Sequence, residues 1–223
     1  MKKILGLSVL LSVSLLTGCA TSRSVVKLNA PVMGATESSL PATAPTAAIR
    51  VILDERKFEQ APSNPGIPSL GFEGSTSATA GVKSRAIARK RNGFGQAMGD
   101  VLLQDGQSVE NVVRDNLTVA LRQAGYRVVD VASATERTMI LDVHVKQFWA
   151  WMQPGFWALT MHGDIETDLT SSSAPAAPTN IAVHHTESRQ IATDGTWIEV
   201  VNKALEKYRA EVVQKLSSKD PAH

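Results

Sequence analysis

The hydrophobic pattern divides the chain into a leader, a polar stretch and a folded body. Residues 4–16 run without a charge behind Lys2 and Lys3. As a helix that stretch would be about 20 Å long, short of the ~30 Å hydrocarbon core of a bilayer. It predicts a secretory signal over residues 1–18 rather than a membrane span. Residues 19–46 carry Ser, Thr, Ala and the prolines Pro31, Pro41 and Pro45 with no apolar period. They predict a flexible tether, at most roughly 90 Å when fully extended.

Residues 47–217 hold the periodic patterns of one domain. Ile49 to Asp54 is a β-branched run that predicts a strand. Residues 61–81, rich in Pro, Gly and Ser, predict a long loop. Val82 to Arg91 and Asp100 to Gln104 predict two more strands. Val109, Val112, Val113, Leu117, Ala120, Leu121 and Ala124 recur at helical spacing. Ser108 is placed to cap that helix, Glu110 lies in its first turn and Gly125 stands where it should stop. A strand follows over 127–131.

Residues 137–152 form a long strand pattern. Gln153-Pro154-Gly155-Phe156 has turn chemistry, and 157–169 returns, so the pair predicts a hairpin. Asp164, Glu166 and Asp168 alternate onto one face, leaving Ile165, Thr167 and Leu169 for the core. Residues 171–178 read as a hairpin loop, and 181–190 as another strand. Thr196 with Glu199 matches a capping box for a last helix. Trp197, Val201, Ala204, Leu205, Tyr208, Val212 and Leu216 share one face of it. Residues 218–223 read as a disordered tail. The order of elements predicts an α+β fold, a mainly antiparallel sheet with two helices packed on one face.

Composition changes this picture at one point. The chain has 223 residues and one cysteine, which leaves no internal disulfide framework and no multi-cysteine metal site. That cysteine closes Leu16-Thr17-Gly18-Cys19, which resembles the bacterial lipobox. The resemblance implies cleavage before Cys19 and acylation of its thiol. Two or three chains on one residue make an effectively permanent anchor, since each buried methylene contributes about 0.8 kcal/mol. Ala20 follows instead of Asp, which by analogy with lipoproteins of Gram-negative bacteria favours the outer membrane, facing the periplasm. Without Lys2 and Lys3 the chain carries 21 basic and 21 acidic side chains. No global cationic field argues for nucleic acid.

Candidate chemistry is sparse. Gly93-Phe94-Gly95-Gln96-Ala97-Met98-Gly99 approaches a dinucleotide fingerprint, but its third glycine is one place late and no helix pattern begins there. Lys83, Arg85, Arg89, Lys90 and Arg91 form a basic run, readable as a charged edge strand or as a patch for head groups or peptidoglycan carboxylates. His184 and His185 are adjacent and point to opposite faces of a strand. His144 and His162 lie on the two hairpin arms and could pair across them. No zinc pattern and no Gly-x-Ser-x-Gly elbow occurs. No cofactor, metal or catalytic residue is therefore expected, and the protein is expected not to be an enzyme.

The aromatic residues are unevenly spread. Phe148, Trp149, Trp151, Phe156 and Trp157 fall within ten residues around the Pro-Gly turn. Trp149 and Trp151 share one face and Phe148 takes the other. Either the rings pack beneath the helices, or part of the cluster is exposed as a partner-binding surface.

The lipobox, the strand Ile49-Arg50-Val51-Ile52-Leu53-Asp54-Glu55-Arg56, the helix from Val109 to Leu121 with Gly125-Tyr126-Arg127-Val128, and Leu141-Asp142-Val143-His144-Val145 resemble the YajG family of bacterial lipoproteins. The chain is also similar in outline to auxiliary lipoproteins of ABC-type lipid transporters. The resemblance spans about residues 48–216. It implies a periplasm-facing α/β body, and some relatives carry a flagellar-assembly label. It supplies no catalytic residues. The expectation is a membrane-anchored envelope lipoprotein, held by lipid on Cys19, that binds an envelope protein. The alternatives are a lipid-transport accessory with an apolar cleft between helices and sheet, or a module binding peptidoglycan or the flagellar base.

Overall fold

The computed structural model describes residues 23–34, 40–171 and 178–217. Cys19, the signal segment and the 218–223 tail lie outside the described residues. The strands are β1 (Ser24–Val26), β2 (Thr46–Asp54), β3 (Ala86–Arg91), β4 (Ala97–Leu103), β5 (Arg127–Val128), β6 (Met139–Pro154), β7 (Leu159–Ser171) and β8 (Thr179–Arg189). The helices are α1 (Gly74–Ser77), α2 (Ala80–Arg85), α3 (Val109–Gln123) and α4 (Asp194–Ser217), with a 3-10 turn at Val131–Ser133.

One mixed sheet holds all eight strands. The strands β3–β4, β6–β7 and β7–β8 are antiparallel, whereas β1–β4, β2–β5, β2–β6 and β3–β6 are parallel. This corrects the expected fold class: the sheet is mixed rather than mainly antiparallel, and among the described residues four helices accompany it rather than two. The physical reason is that side-chain alternation has period two in either direction and carries no sign of strand polarity. Strands consecutive in sequence formed the antiparallel pairs; every parallel pair joins strands separated by other elements.

β6 organises the sheet. One of its edges carries β7 from Leu141↔Ser171 to Pro154↔Leu159. Its other edge carries β2 from Met139 to Val145, then β3 at Ala150. The sheet therefore forks, with β2 and β5 on one branch and β3, β4 and β1 on the other.

α3 and α4 complete the main core. Ser108 Oγ accepts from Asn111 N at 3.2 Å, and Gly125, at φ +93°, donates to Arg122 O while Tyr126 donates to Leu121 O. That is the Schellman closure expected of a C′ glycine. Val109, Val113, Leu117 and Leu121 from α3 and Trp197, Tyr208 and Val212 from α4 are buried with Phe148, Ile165 and Leu169 of the sheet. Gly163 lets α4 approach β7 closely, since a Cβ there would lie 3.3 Å from Val200 O. The cap of α4 differs from the Thr196–Glu199 expectation. Thr193 is the capping residue: Thr196 N donates to its carbonyl, and Thr193 N donates back to Thr196 Oγ1 at 3.1 Å.

The opposite face is covered by residues 56–85. Leu70, Ala78, Ala86, Leu102 and Trp149 form a second buried cluster, with Phe58, Val82 and Trp151 against it. The expected loop over 61–81 is thus a packed cover. The first half of the strand expected over 82–91 is α2, whose N-cap Thr79 accepts from Val82 N. A third difference lies in the expected tether. Ser24–Val26 pairs with Val101–Leu103, and Val26 and Leu28 are buried. The folded body therefore includes Ser24–Leu28, upstream of the expected boundary at residue 47.

Candidate contact surface

The β6–β7 hairpin distributes the five aromatic residues by pleat and by height. Phe148 faces α3 and α4 and is fully buried. Trp149 faces the 56–85 cover, also buried. Its Nε1 donates to Pro65 O at 3.1 Å, and its ring meets Phe58 edge-on at 6.0 Å. These two rings belong to the cores and offer no contact surface, which corrects their expected partner-binding role. Trp151 is half-buried and stacks on His162, 4.8 Å between centroids and 2° between planes. Only Phe156 and Trp157, at the tip, are open, 90% and 83% exposed. They pack on each other edge-to-face at 4.7 Å, in a turn closed by Gly155 N donating to Ala158 O.

The outer face of β6–β8 is polar. Asp164, Glu166 and Asp168 share it, as the alternation predicted, and Ile165, Thr167 and Leu169 point to the core. His144 does not meet His162. The register sets His144 opposite Asp168 and His162 opposite Trp151. His144 instead binds Glu55 at 2.7 Å beside Lys146 at 2.5 Å, and Lys146 first, then His144, holds the Glu55 carboxyl below the usual range. His184 bonds to Asp164, while His185 on the other face reaches Glu187. His162 lies between Trp151 and His184, and neither of its ring nitrogens has a hydrogen-bond partner. Burial, then the nearby His184, pushes its pKa down, against the pull of Asp164. Among the described residues no group of three or more His, Cys, Asp or Glu could hold a metal ion.

Four of the five cations in the basic run are engaged by neighbouring groups. Arg85 donates to Leu103 O and binds Asp105. Arg89 is 9% exposed and reaches Ser69, Lys90 binds Ser24 Oγ at 2.7 Å, and Arg91 donates to Pro62 O and Gly95 O. Burial lowers the pKa of Arg89 and Arg91. The space between the long helices and the sheet is filled by the core. A groove of about 590 Å³ instead lies at the edge of α3, lined by Ile49, Arg114, Arg122, Val128 and Val131 among others.

Exposed apolar residues outside the aromatic cluster escaped the sequence reading, Phe94 and Ile191 among them. Phe94, 92% exposed, sits between Gly93 and Gly95 at the tip of the β3–β4 hairpin, and Ile191, 68% exposed, follows β8. The glycines flanking Phe94 were the available signal, because a ring at the apex of a glycine turn has little backbone around it to bury it.

No protein-family model matches the chain, and no curated protein matches it. Among solved structures, it is similar to an uncharacterised protein at 12% identity and TM-score 0.45, covering 87% of this chain and 98% of that one. It is similar to protein XCC0632 from Xanthomonas campestris, of DUF330, at 9% identity and TM-score 0.47, covering 88% and 95%. It is also similar to lipoprotein GNA1162 from Neisseria meningitidis at 10% identity and TM-score 0.30, covering 72% and 96%. These similarities do not confirm the YajG-like resemblance, and at such TM-scores they carry no argument about function.

Proposed function

We propose that the chain is a lipid-anchored lipoprotein of the bacterial envelope, acting as a non-enzymatic binding module on the periplasmic face of the outer membrane. The observation that carries this reading is Leu16-Thr17-Gly18-Cys19, placed directly behind a charged and then apolar leader and holding the chain's sole cysteine. Ala20 after the cysteine supports the outer membrane over the inner. The polar groups that could do acid–base work are dispersed over an open sheet face rather than gathered in a cleft, which supports binding over catalysis.

The test is fractionation of cells carrying the native chain or Cys19→Ala. The native protein is expected in the outer-membrane fraction and the variant in the soluble periplasm. A Cys19→Ala protein that stays in membranes would overturn the anchor. Native protein in the inner-membrane fraction would overturn the assignment to the outer membrane alone.

A further inference from the structure

The register of the sheet places one level across four strands. Ser24 pairs with Val101, Val101 with Ala88, and Ala88 with Ala150. From that level β6 continues four residues to Pro154 and β3 continues three to Arg91, both in the same direction because they are parallel. The β3–β4 tip and the β6–β7 tip therefore project from the same end of the sheet. β8 also finishes there, since Arg189 pairs with Leu159. β1 runs antiparallel to β3 through β4, so the chain enters β1 from this end as well.

Exposed apolar side chains gather at that end. Five large hydrophobic residues are more than two-thirds exposed among the described residues: Val32, Phe94, Phe156, Trp157 and Ile191. All but Val32 lie on the two tips or the turn after β8. Phe and Trp on short turns, with polar neighbours such as Asn92 and Gln96, suit the head-group region of a bilayer, where amphipathic rings are favoured.

The covalent chain says what covers these tips. Cys19 lies four residues before Arg23, so it can sit no more than roughly 14 Å from it. Four strand residues beyond the Ala150 level span about 13 Å, which brings the tips to a bilayer held at that reach. The far end of β6, at Met139, lies eleven residues below the same level, roughly 36 Å away and out of reach of so short a link. We infer that the anchored protein stands on the bilayer with its β3–β4 and β6–β7 tips down, and that Phe94, Phe156, Trp157 and Ile191 insert into the interfacial region of the membrane. This inference rests on the acylation of Cys19.

The contact is apolar rather than electrostatic. The cations nearest the tips are already engaged: Arg91 with Pro62 O and Gly95 O, Lys90 with Ser24, and Arg189 with Glu187 and Glu199. Insertion should therefore not require anionic lipid.

The experiment uses the full acylated protein in vesicles of phosphatidylcholine, with and without brominated acyl chains. Cys19 carries lipid, so a second cysteine can be labelled alone. Gly93→Cys puts a fluorophore on the β3–β4 tip, where a side chain meets nothing within 4 Å. Glu136→Cys puts one before β6 at the other end, on an exposed residue. Brominated lipid should quench the Gly93→Cys label at least twofold and leave the Glu136→Cys label unchanged. Phe94→Ser combined with Phe156→Ser and Trp157→Ser should abolish the quenching while the protein still floats with the vesicles and keeps its circular dichroism. Equal quenching at both sites, or none at the Gly93→Cys label in protein that floats, would overturn the docking and leave the anchor standing. Protein that does not float would overturn both. A tip that serves a protein partner or a second copy of this chain gives the no-quenching result.

Discussion

The guanidinium of Arg56 and the carboxylate of Asp54 meet side by side, Nε to Oδ1 at 2.8 Å and Nη2 to Oδ2 at 2.7 Å, two residues apart at the point where β2 leaves β6. The pair faces inward. Its remaining donors reach Ala86 O, Phe148 O and Lys83 O at 2.6, 3.0 and 2.7 Å, and the Arg56 side chain is fully buried. Arg56 thus satisfies carbonyls from β6, from the start of β3 and from α2, and joins the two branches of the fork. Its planar set of donors suits this position in a way that a lysine ammonium does not.

Arg56→Met should therefore lower stability by about 3–5 kcal/mol, because Asp54 loses its guanidinium partner, keeping only the backbone N–H of residue 56, and three carbonyls lose a donor while staying shielded from water. Denaturant unfolding measures it. Arg56→Lys should recover only part of the loss. A midpoint unchanged in Arg56→Met would mean that the backbone pairing of β6 holds the fork by itself.

The aromatic hairpin separates structural from exposed rings. Trp149→Ala should cost about 3–5 kcal/mol, as for a large ring removed from a packed core, and should also free Pro65 O. Trp157→Ala should change stability by less than about 0.5 kcal/mol, as for a surface residue. Thermal unfolding of the two variants checks the contrast. Comparable losses would show that the tip packs on the body.

These positions also show how far the sequence could be read. The two long helices and the hairpin were legible because their signals are local: Ser108 and Gly125 bracket α3, and the alternation from Asp164 to Leu169 fixes which side of β7 is buried. The faces of Phe148, Trp149 and Trp151 followed from the same period of two. What the alternation does not carry is the direction of a distant partner, so the parallel pairing of β2 with β6 was missed. Nor does composition distinguish a solvated Pro-Gly-Ser loop from one that covers a tryptophan. Residues 61–81 look like the former and include Pro65 and Leu70, which bury Trp149. Ser24–Val26 is a strand only because β4 offers an edge to it, and three residues carry no pattern of their own.

Tyr208 tests the interior of the helical core by titration. Its hydroxyl lies 3.0 Å from Thr167 Oγ1, and burial pushes its pKa up to about 12. An unfolded tyrosine ionises near 10. With the folded value above the unfolded one, the phenol's contribution to stability is complete below about pH 10 and is lost as pH rises toward 12. Tyrosinate absorbance should show Tyr208 ionising with unfolding rather than beforehand, and Tyr208→Phe should flatten the alkaline limb. Early ionisation in the folded protein would mean that water reaches the Thr167 hydroxyl.

His162 gives the acid side, with the opposite placement of charge. Trp151 covers one face of its ring, His184 stands 5.5 Å away on β8, and Asp164 lies two residues along β7. Burial and His184 disfavour the imidazolium more than Asp164 favours it, so the folded pKa lies below the ordinary value. The unfolded chain then binds the proton more readily. Stability contributed by neutral His162 is complete above about pH 6.5 and is lost as pH falls from there toward the folded value. Proton resonances of the His162 ring should titrate below those of a free imidazole, and Trp151 fluorescence should change with them because the rings stack. His162→Phe keeps the stack without the titration, so it should remove that part of the acid sensitivity. If the variant and the native protein lose stability identically between about pH 7 and 5, the His162 ring is solvated in both states and the stack with Trp151 does not exclude water.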